Sequence, residues 1–340
     1  MATTPTGDPA RPGSAGATGA TGARFPAALM HTAATLYYLQ DATQAEIAAR
    51  LGTSRATVSR LLREARERGI VRIEVAPLDE HDPTGLAARL EDALGLERVV
   101  LSAAAAPDHV AEAVSPALAQ VLAGVGLGRD DVLLVSSGRT LHEVAQRDLP
   151  PMPGVLVVPM VGGQDEPEAW YATNEITRRV AATVGGVPRF LFAPALPSAE
   201  LRAGLLADPS TQRVLDLWAR ARCAVMGVGA PPARRASIPG FVPVGEEGVR
   251  RAVGDVVSRF YDAEGREVAW DGAERLMAVP LDVLHAVPVR IAVAHGSVKV
   301  PSIVAGARGR HFTHLVTDPA TAAELAAELG VRPDRPGGTP

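Results

Sequence analysis

Among 340 residues there is a single cysteine, Cys223, and a single lysine, Lys299; the other basic side chains, histidines aside, are all arginine. One cysteine excludes an internal disulfide and argues for a reducing compartment, so a cytoplasmic protein is expected. No apolar run reaches the roughly 18 residues a membrane span needs. Aromatics make up 4% of a chain that is 47% hydrophobic, so the core must be built mainly of Ala, Val and Leu. Histidine, cysteine and carboxylates nowhere take metal-ligand spacing, and no carboxylate–His set is clustered for acid–base work. Neither a metal nor a cofactor nor an enzymatic activity is expected. Net charge is −4, which gives no whole-molecule attraction to nucleic acid.

What is present begins with 43–75, TQAEIAARLGTSRATVSRLLREARERGIVRIEV. Thr43 and Glu46 have capping-box spacing, so a helix should start at Gln44. Ile47, Ala48 and Leu51 form its apolar stripe, and Gly52 supplies a left-handed turn residue. Thr53 or Ser54 then caps a second helix on which Val58, Leu61, Leu62 and Ala65 share one arc at roughly 100° per residue. Ala56, Arg60, Arg63 and Glu67 lie opposite, flanked by Arg55 and Ser59 on one side and Thr57 on the other. Small residues permit close approach to a DNA major groove, and arginines reach guanine edges or phosphates. An ordinary helical hairpin with a solvated face is the alternative; the helix-turn-helix spacing with both caps favours DNA. We assign base reading to Arg55, Thr57, Ser59 and Arg60, and phosphate contact to Arg63 and Arg66. Between Phe25 and Pro77 seven arginines stand against five acids, net +2, which leaves about −6 on the remainder. A weakly basic head on an acidic body suits a specific binder.

The expected organisation is a disordered tail (1–24), a three-helix DNA-binding head (25–76), a Pro-bounded linker (77–84), an α/β body (85–330) and a short tail (331–340). The head should include a helix within Phe25–Gln40 and a short strand, possible as a wing, from Ile70, Val71, Ile73 and Val75. In the body, strands are expected at Arg98–Ala103, Asp131–Ser137, Val155–Val161, Arg189–Ala193, Cys223–Val228, Arg290–Ala294 and Phe312–Thr317. Helices are expected at Asn174–Val184, Thr211–Ala221, Val298–Ala307 and Ala320–Leu329. Continuous Val/Leu runs alternating with helices imply a mostly parallel sheet covered on both faces.

In such sheets ligands bind where strands end and helices begin. Ser136-Ser137-Gly138-Arg139-Thr140 follows one strand, and its glycine, hydroxyls and amides suit a phosphate; a Ser-capped turn is the alternative. His295-Gly296-Ser297-Val298-Lys299 follows another, and its lysine is a compact point charge for an anion, unless it is a lone surface lysine. Weaker candidates are Gly163 at a third strand end and Asp255, an acceptor for sugar hydroxyls. Asn174 is either a helix cap or a ligand contact, and Asp262 more naturally shapes the Asp-Ala-Glu-Gly turn.

At the 43–75 stretch and at SSGRTLHEVA, AVGDVVSRFYDAEG and GSVKVPSIVAGARGRHFTHLVTD, the chain resembles the SorC family of bacterial sugar-binding transcriptional regulators. The resemblance implies a helix-turn-helix head joined to a Rossmann-like effector domain similar to the phosphosugar isomerase fold. It also implies a phosphorylated sugar or related metabolite as effector, operator DNA as partner, and a homotetramer or dimer of dimers. Gly138, Arg139 and Thr140 match the family's phosphate loop, Lys299 its late lysine and Asp255 its Gly-Asp motif. Ser137 stands where many members carry an aromatic, and His295 replaces the first of a usual Gly-Gly pair. Both changes fall near the expected pocket and leave room for an effector other than the familiar sugars. Two rival readings are a sugar-phosphate isomerase with Asp255 or Glu175 as base, and a regulator whose ligand site has been lost.

Overall fold

The structure, a computed structural model, describes residues 25–40, 42–71, 85–103, 110–235 and 237–331. The chain divides into two compact units, parted between Leu78 and Asp79. The expected N-terminal tail, the linker and all of the C-terminal tail but Val331 lie outside the described residues.

In the first unit three helices form: α1 (Ala27–Tyr38), α2 (Gln44–Arg50) and α3 (Arg55–Glu67). The capping box is complete. Thr43 Oγ1 accepts the Glu46 amide at 3.3 Å, and the Glu46 carboxylate accepts the Thr43 amide at 2.8 Å. Gly52 (φ +61°) makes the left-handed turn, and Ser54, not Thr53, caps α3 by accepting the Thr57 amide at 3.2 Å. Met30 and Ala33 of α1, Ile47 of α2, and Val58, Leu61, Leu62 and Ala65 of α3 are buried together. Burying each large aliphatic among them contributes about 1.5–3 kcal/mol. The expected strand after α3 does not begin at Ile70: the Ile70 and Val71 amides both turn back to the Ala65 carbonyl, at 2.9 and 3.1 Å, closing the helix. Residues 72–75, the rest of that strand, lie outside the described residues.

The second unit runs α4 (Leu86–Leu94), β1 (Arg98–Leu101), α5 (Val110–Val125), β2 (Val132–Val135), α6 (Arg139–Val144), β3 (Leu156–Pro159), α7 (Thr173–Val184), β4 (Val187–Pro188), α8 (Ala199–Ala207), α9 (Pro209–Trp218) and β5 (Ala221–Gly227). It continues with α10 (Glu247–Arg251), β6 (Gly254–Val256), β7 (Arg259–Tyr261), α11 (Leu281–Ala286), β8 (Val289–Val293), α12 (Val300–Arg308), β9 (His314–Thr317) and α13 (Pro319–Glu328). Seven strands form one sheet in the order β1-β9-β8-β5-β2-β3-β4, with every neighbouring pair parallel. Successive residues of a strand point to opposite faces. Leu134, Val158, Met226 and Ala292 therefore pack against α9, α11, α12 and α13, while Leu133, Val157, Val225 and Ile291 pack against α5, α6 and α7. From β2 the chain moves outward to β3 and β4, then returns to β5 on the other side of β2. That reversal is the topological switch point, where the loops after β2 and β5 diverge and leave a crevice.

Most element ends shift by a residue or more from expectation, and three of the differences are the largest or have a visible cause. No strand forms over 189–193; only Val187–Pro188, just before it, pairs as a strand. Beyond Arg189, whose amide still reaches Val157, the hydrogen bonds of Leu191 go to the Asn174 side chain and those around Ala193 to Gly163. The helix expected to reach Ala221 ends at Trp218, because Ala221 already pairs with Val132. The segment at Val298 starts as a 3-10 turn over Ser297–Lys299 before α12 begins.

Candidate functional site

On α3, Arg55, Ser59, Arg63 and Arg66 are exposed on the face away from the core, as a groove-reading helix requires. The other two candidates are placed differently. Thr57 is half-buried, and its hydroxyl lies 2.9 Å from Ser54 Oγ, so it reinforces the cap instead of standing free to read a base. Arg60 folds back, donating its Nε to the Ala56 carbonyl at 3.3 Å. It must unfurl from its own helix to reach a base edge.

In the second unit the fold brings together the loops after β2, β5 and β8. Gly138 (φ +126°) and Gly296 (φ +93°) open the two expected anion loops, and a Cβ at either would meet no atom within 4 Å. The requirement for glycine there is therefore conformational, not steric. Thr140 Oγ1 lies 3.3 Å from His295 Nε2, which joins the β2 loop to the β8 loop directly. Burial first, and Lys299 second, hold His295 down to about 4, so its imidazole is neutral near pH 7. Lys299 is half-buried, and its ammonium is pushed down to about 8 by burial, then by Arg235 and Arg139, with Asp255 opposing. Lys299, Arg235 and the more exposed Arg139 thus act on one another here, with Asp255 as the carboxylate that opposes them at Lys299. An anion placed there would restore Lys299 toward its ordinary range.

One expectation about these loops is corrected. The amides of the two glycines are not presented to a ligand: Gly138 donates to the Trp170 carbonyl at 2.9 Å and Gly296 to Thr321 Oγ1 at 2.7 Å. Recognition of an anion then falls to the side chains around them and to the first-turn amides of α6, which point out of the helix's own ladder. Ser137 Oγ accepts from Gln164 Nε2 at 3.2 Å, and the Arg139 guanidinium lies 4.5 Å over the Trp170 ring. Arg139 is thereby held by a cation–π contact within its own chain.

The weaker candidates separate. Asn174 is a brace, neither a cap nor a free contact: its side-chain amide donates to the Leu191 carbonyl and its oxygen accepts the Leu191 amide, both at 3.1 Å. Gly163 bridges to Pro194 at the edge of the sheet, through the Ala193 and Ala195 backbones. Asp255 does reach the crevice, paired to Arg235. Asp262 shapes its turn by accepting the Glu264 and Arg266 amides at 3.0 and 2.9 Å. Glu175 is held at about 2 by Arg178 and Arg179, too acidic for a general base at neutral pH. Cys223 is buried in β5 and pushed up to about 12, an inert thiol. A separate cleft of about 340 Å³ opens at the other end of the sheet, among Glu97, Arg98, Gln120 and His314, and none of the expected site residues lines it.

Sequence reasoning missed Arg235, Gln164 and Trp170. Arg235 lies beyond a Pro-Pro turn with no motif to mark it. It reaches Asp255 by passing over Gly229, where any Cβ would collide with both side chains. The signal that could have found it is the glycine at the end of β5, since a side chain must cross where a backbone carries none.

A helix-turn-helix head and a parallel-sheet body with a cationic crevice at its switch point define a DNA-binding regulator that carries a small-molecule domain. Sequence comparison agrees: residues 80–327 match the family described as "Putative sugar-binding domain" and residues 27–89 match a Crp-like helix-turn-helix domain. The chain is 30% identical over 301 residues to the sorbitol operon regulator of Klebsiella pneumoniae, covering 85% of this chain and 94% of that one. It is 31% identical over 305 residues to the deoxyribonucleoside regulator of Bacillus subtilis (strain 168), covering 87% and 96%. The crystal structure of full-length SorC from Klebsiella pneumoniae superposes with a TM-score of 0.66 at 29% identity, covering 88% of this chain and 98% of that one. The chain belongs to the SorC family of sugar-binding transcriptional regulators, whose named members here are regulators and not enzymes. No helix among the described residues is long and apolar enough to cross a membrane.

Proposed function

We propose that the effector of this regulator is a phosphorylated sugar or a related phosphorylated metabolite, bound at the switch-point crevice by Lys299, Arg235, Arg139 and Thr140. The observation that carries the reading is the gathering of three cationic side chains, Lys299, Arg235 and Arg139, about Asp255, a carboxylate that Arg235 already engages. Like charges gathered so, with Lys299 and Arg235 partly buried, are costly without an anion, and a phosphate dianion supplies the missing charge. His295, neutral and bonded to Thr140, orients the threonine hydroxyl toward a ligand oxygen. Ser137, with Gln164 behind it, and the Gly138 and Gly296 turns give the crevice its shape.

The head binds a pseudo-palindromic operator as part of a homotetramer or dimer of dimers in the cytoplasm, with paired recognition helices about one DNA turn apart. Arg55, Ser59 and, once extended, Arg60 read bases; Arg63 and Arg66 contact phosphates. Thr57 acts through the cap it shares with Ser54. An effector changes operator affinity only through a difference in its affinity for two arrangements of the heads, typically about 1–3 kcal/mol of coupling.

A thermal-shift screen of the full chain against phosphorylated and free sugars tests the reading. Phosphorylated sugars should raise the melting temperature of the wild type and not of Lys299→Ala. A response confined to unphosphorylated sugars, or one that Lys299→Ala preserves, would overturn it.

A further inference from the structure

Any anion that reaches Arg235 meets a guanidinium already engaged. Its Nη2 is paired with Asp255 Oδ1, its Nε donates to the Ala230 carbonyl at 2.7 Å, and its plane lies 5.7 Å over the Phe260 ring. The two paired side chains are only 14% and 12% exposed. Asp255, however, does not depend on Arg235 for its position. Its Oδ2 accepts the Ser258 amide at 3.0 Å, and its own carbonyl accepts the Gly229 amide at 2.9 Å. The turn that presents the Ser258 amide joins β6 to β7 through two left-handed residues, Val257 (φ +55°) and Ser258 (φ +63°). A buried β-branched residue in that region is an outlier held by its surroundings, a feature that clusters at ligand sites. The carboxylate is therefore fixed by its own hairpin, whereas Arg235, just past the Pro232–Arg234 turn, is held, besides Asp255, by an uncharged carbonyl and a ring.

We propose that Asp255 is a built-in counter-ion which an incoming anion must displace from Arg235, so that the crevice selects ligands carrying both an anionic group for Arg235 and a neighbouring hydroxyl for Asp255. The inference rests on the phosphorylated-effector reading above and adds what that site excludes. Once Arg235 turns to the ligand, Oδ1 stays where the hairpin holds it, desolvated and without a donor. A ligand hydroxyl meets that need. An anion with no proton to donate leaves one oxygen of a buried carboxylate unpaired and facing a second negative charge, and is rejected. Asp255 is thus the specificity-determining residue, Arg235 the anion contact, and the Val257–Ser258 turn the element that keeps the discriminator in place.

Sulfate is the informative probe, since it is a dianion with no hydrogen-bond donor at neutral pH. Isothermal titration of the full-length protein should show weak sulfate binding by the wild type and binding on the order of tenfold tighter by Asp255→Asn, the change that follows from removing a competing, partly buried charge. Pairing Asp255→Asn with Arg235→Gln should abolish the gain. Should Asp255→Asn not fold, as judged by its circular dichroism melt, Asp255→Ser gives the same readout. Sulfate binding that is unchanged or weakened in the folded variant would overturn the proposal, as would a gain that persists without Arg235. A wild-type response to sugar phosphates with no gain for sulfate in Asp255→Asn leaves the effector reading standing and removes the discriminator. The opposite pattern retains the discriminator and removes that reading.

Discussion

Replacing Lys299 by methionine should stabilise the effector domain while silencing it. The ammonium sits at about 8 in the folded chain against 10.5 for an ordinary lysine, because burial, Arg235 and Arg139 all oppose its charge. At roughly 1.4 kcal/mol per pKa unit the full difference is about 3.5 kcal/mol; partial solvent access reduces it to about 1–2 kcal/mol. Methionine keeps the apolar stem and removes the charge, so the variant should melt about 2–6 °C higher near neutral pH. The sign with pH is fixed. The unfolded chain holds the lysine proton up to about 10.5 while the folded chain releases it near 8, so wild-type stability attributable to this group rises with pH across that window. The advantage of the variant should therefore shrink between pH 8 and 10.5. Circular dichroism melts of both proteins across that range, with and without sugar phosphates, measure it. A variant less stable than wild type near neutrality would refute the claim that Lys299 is held against its preference for the sake of a ligand.

Arg60→Ala should weaken operator binding by about 1–3 kcal/mol by fluorescence anisotropy while leaving effector affinity unchanged. Ser54→Ala removes the α3 cap and the partner of the Thr57 hydroxyl, and should cost the head about 1 kcal/mol in a denaturant titration. His311 is buried, 3.1 Å from His285, and held at about 4 by burial first and His285 second. The unfolded chain takes the proton near 6.5, so stability should fall by about 2–3 kcal/mol as pH drops from 6.5 to 4, and His311→Phe should flatten that slope in acid melts. Gly162→Ala would set a Cβ 2.6 Å from the Ala193 carbonyl oxygen, with no flexible side chain to yield, and should destabilise the domain by more than about 2 kcal/mol in thermal melts.

The parts legible in the sequence are those whose causes are local. Thr43 and Glu46 cap α2, Gly52 turns the chain and Ser54 caps α3, each within four residues of its partner. The loops after β2 and β8 were legible for the same reason, because a glycine after an apolar run marks a strand end. Arg235 was not, since its meaning comes from Asp255, twenty residues on, reached across Gly229. Nor was the β6–β7 hairpin, whose two left-handed positions carry Val257 and Ser258 in place of the Gly or Asn that would announce them. The 189–193 segment has the alternation of a strand, with Leu191 and Ala193 buried and Phe192 exposed, yet it pairs with a side chain and an isolated glycine instead of a neighbouring strand. Alternation reports which face is covered, not what satisfies the backbone. Helix α8 buries no residue fully, so no apolar stripe marked it.

The central claim is that occupancy of the crevice alters how the head holds DNA. Its most direct test is fluorescence anisotropy of the full-length protein on a duplex selected from random sequence, titrated with sugar phosphates that raise its melting temperature. The account predicts that such a ligand shifts operator affinity about 5–150-fold and that Lys299→Ala binds the same duplex without responding. Sequence-blind, salt-sensitive binding to DNA, or a bound ligand that leaves operator affinity unchanged, would contradict it.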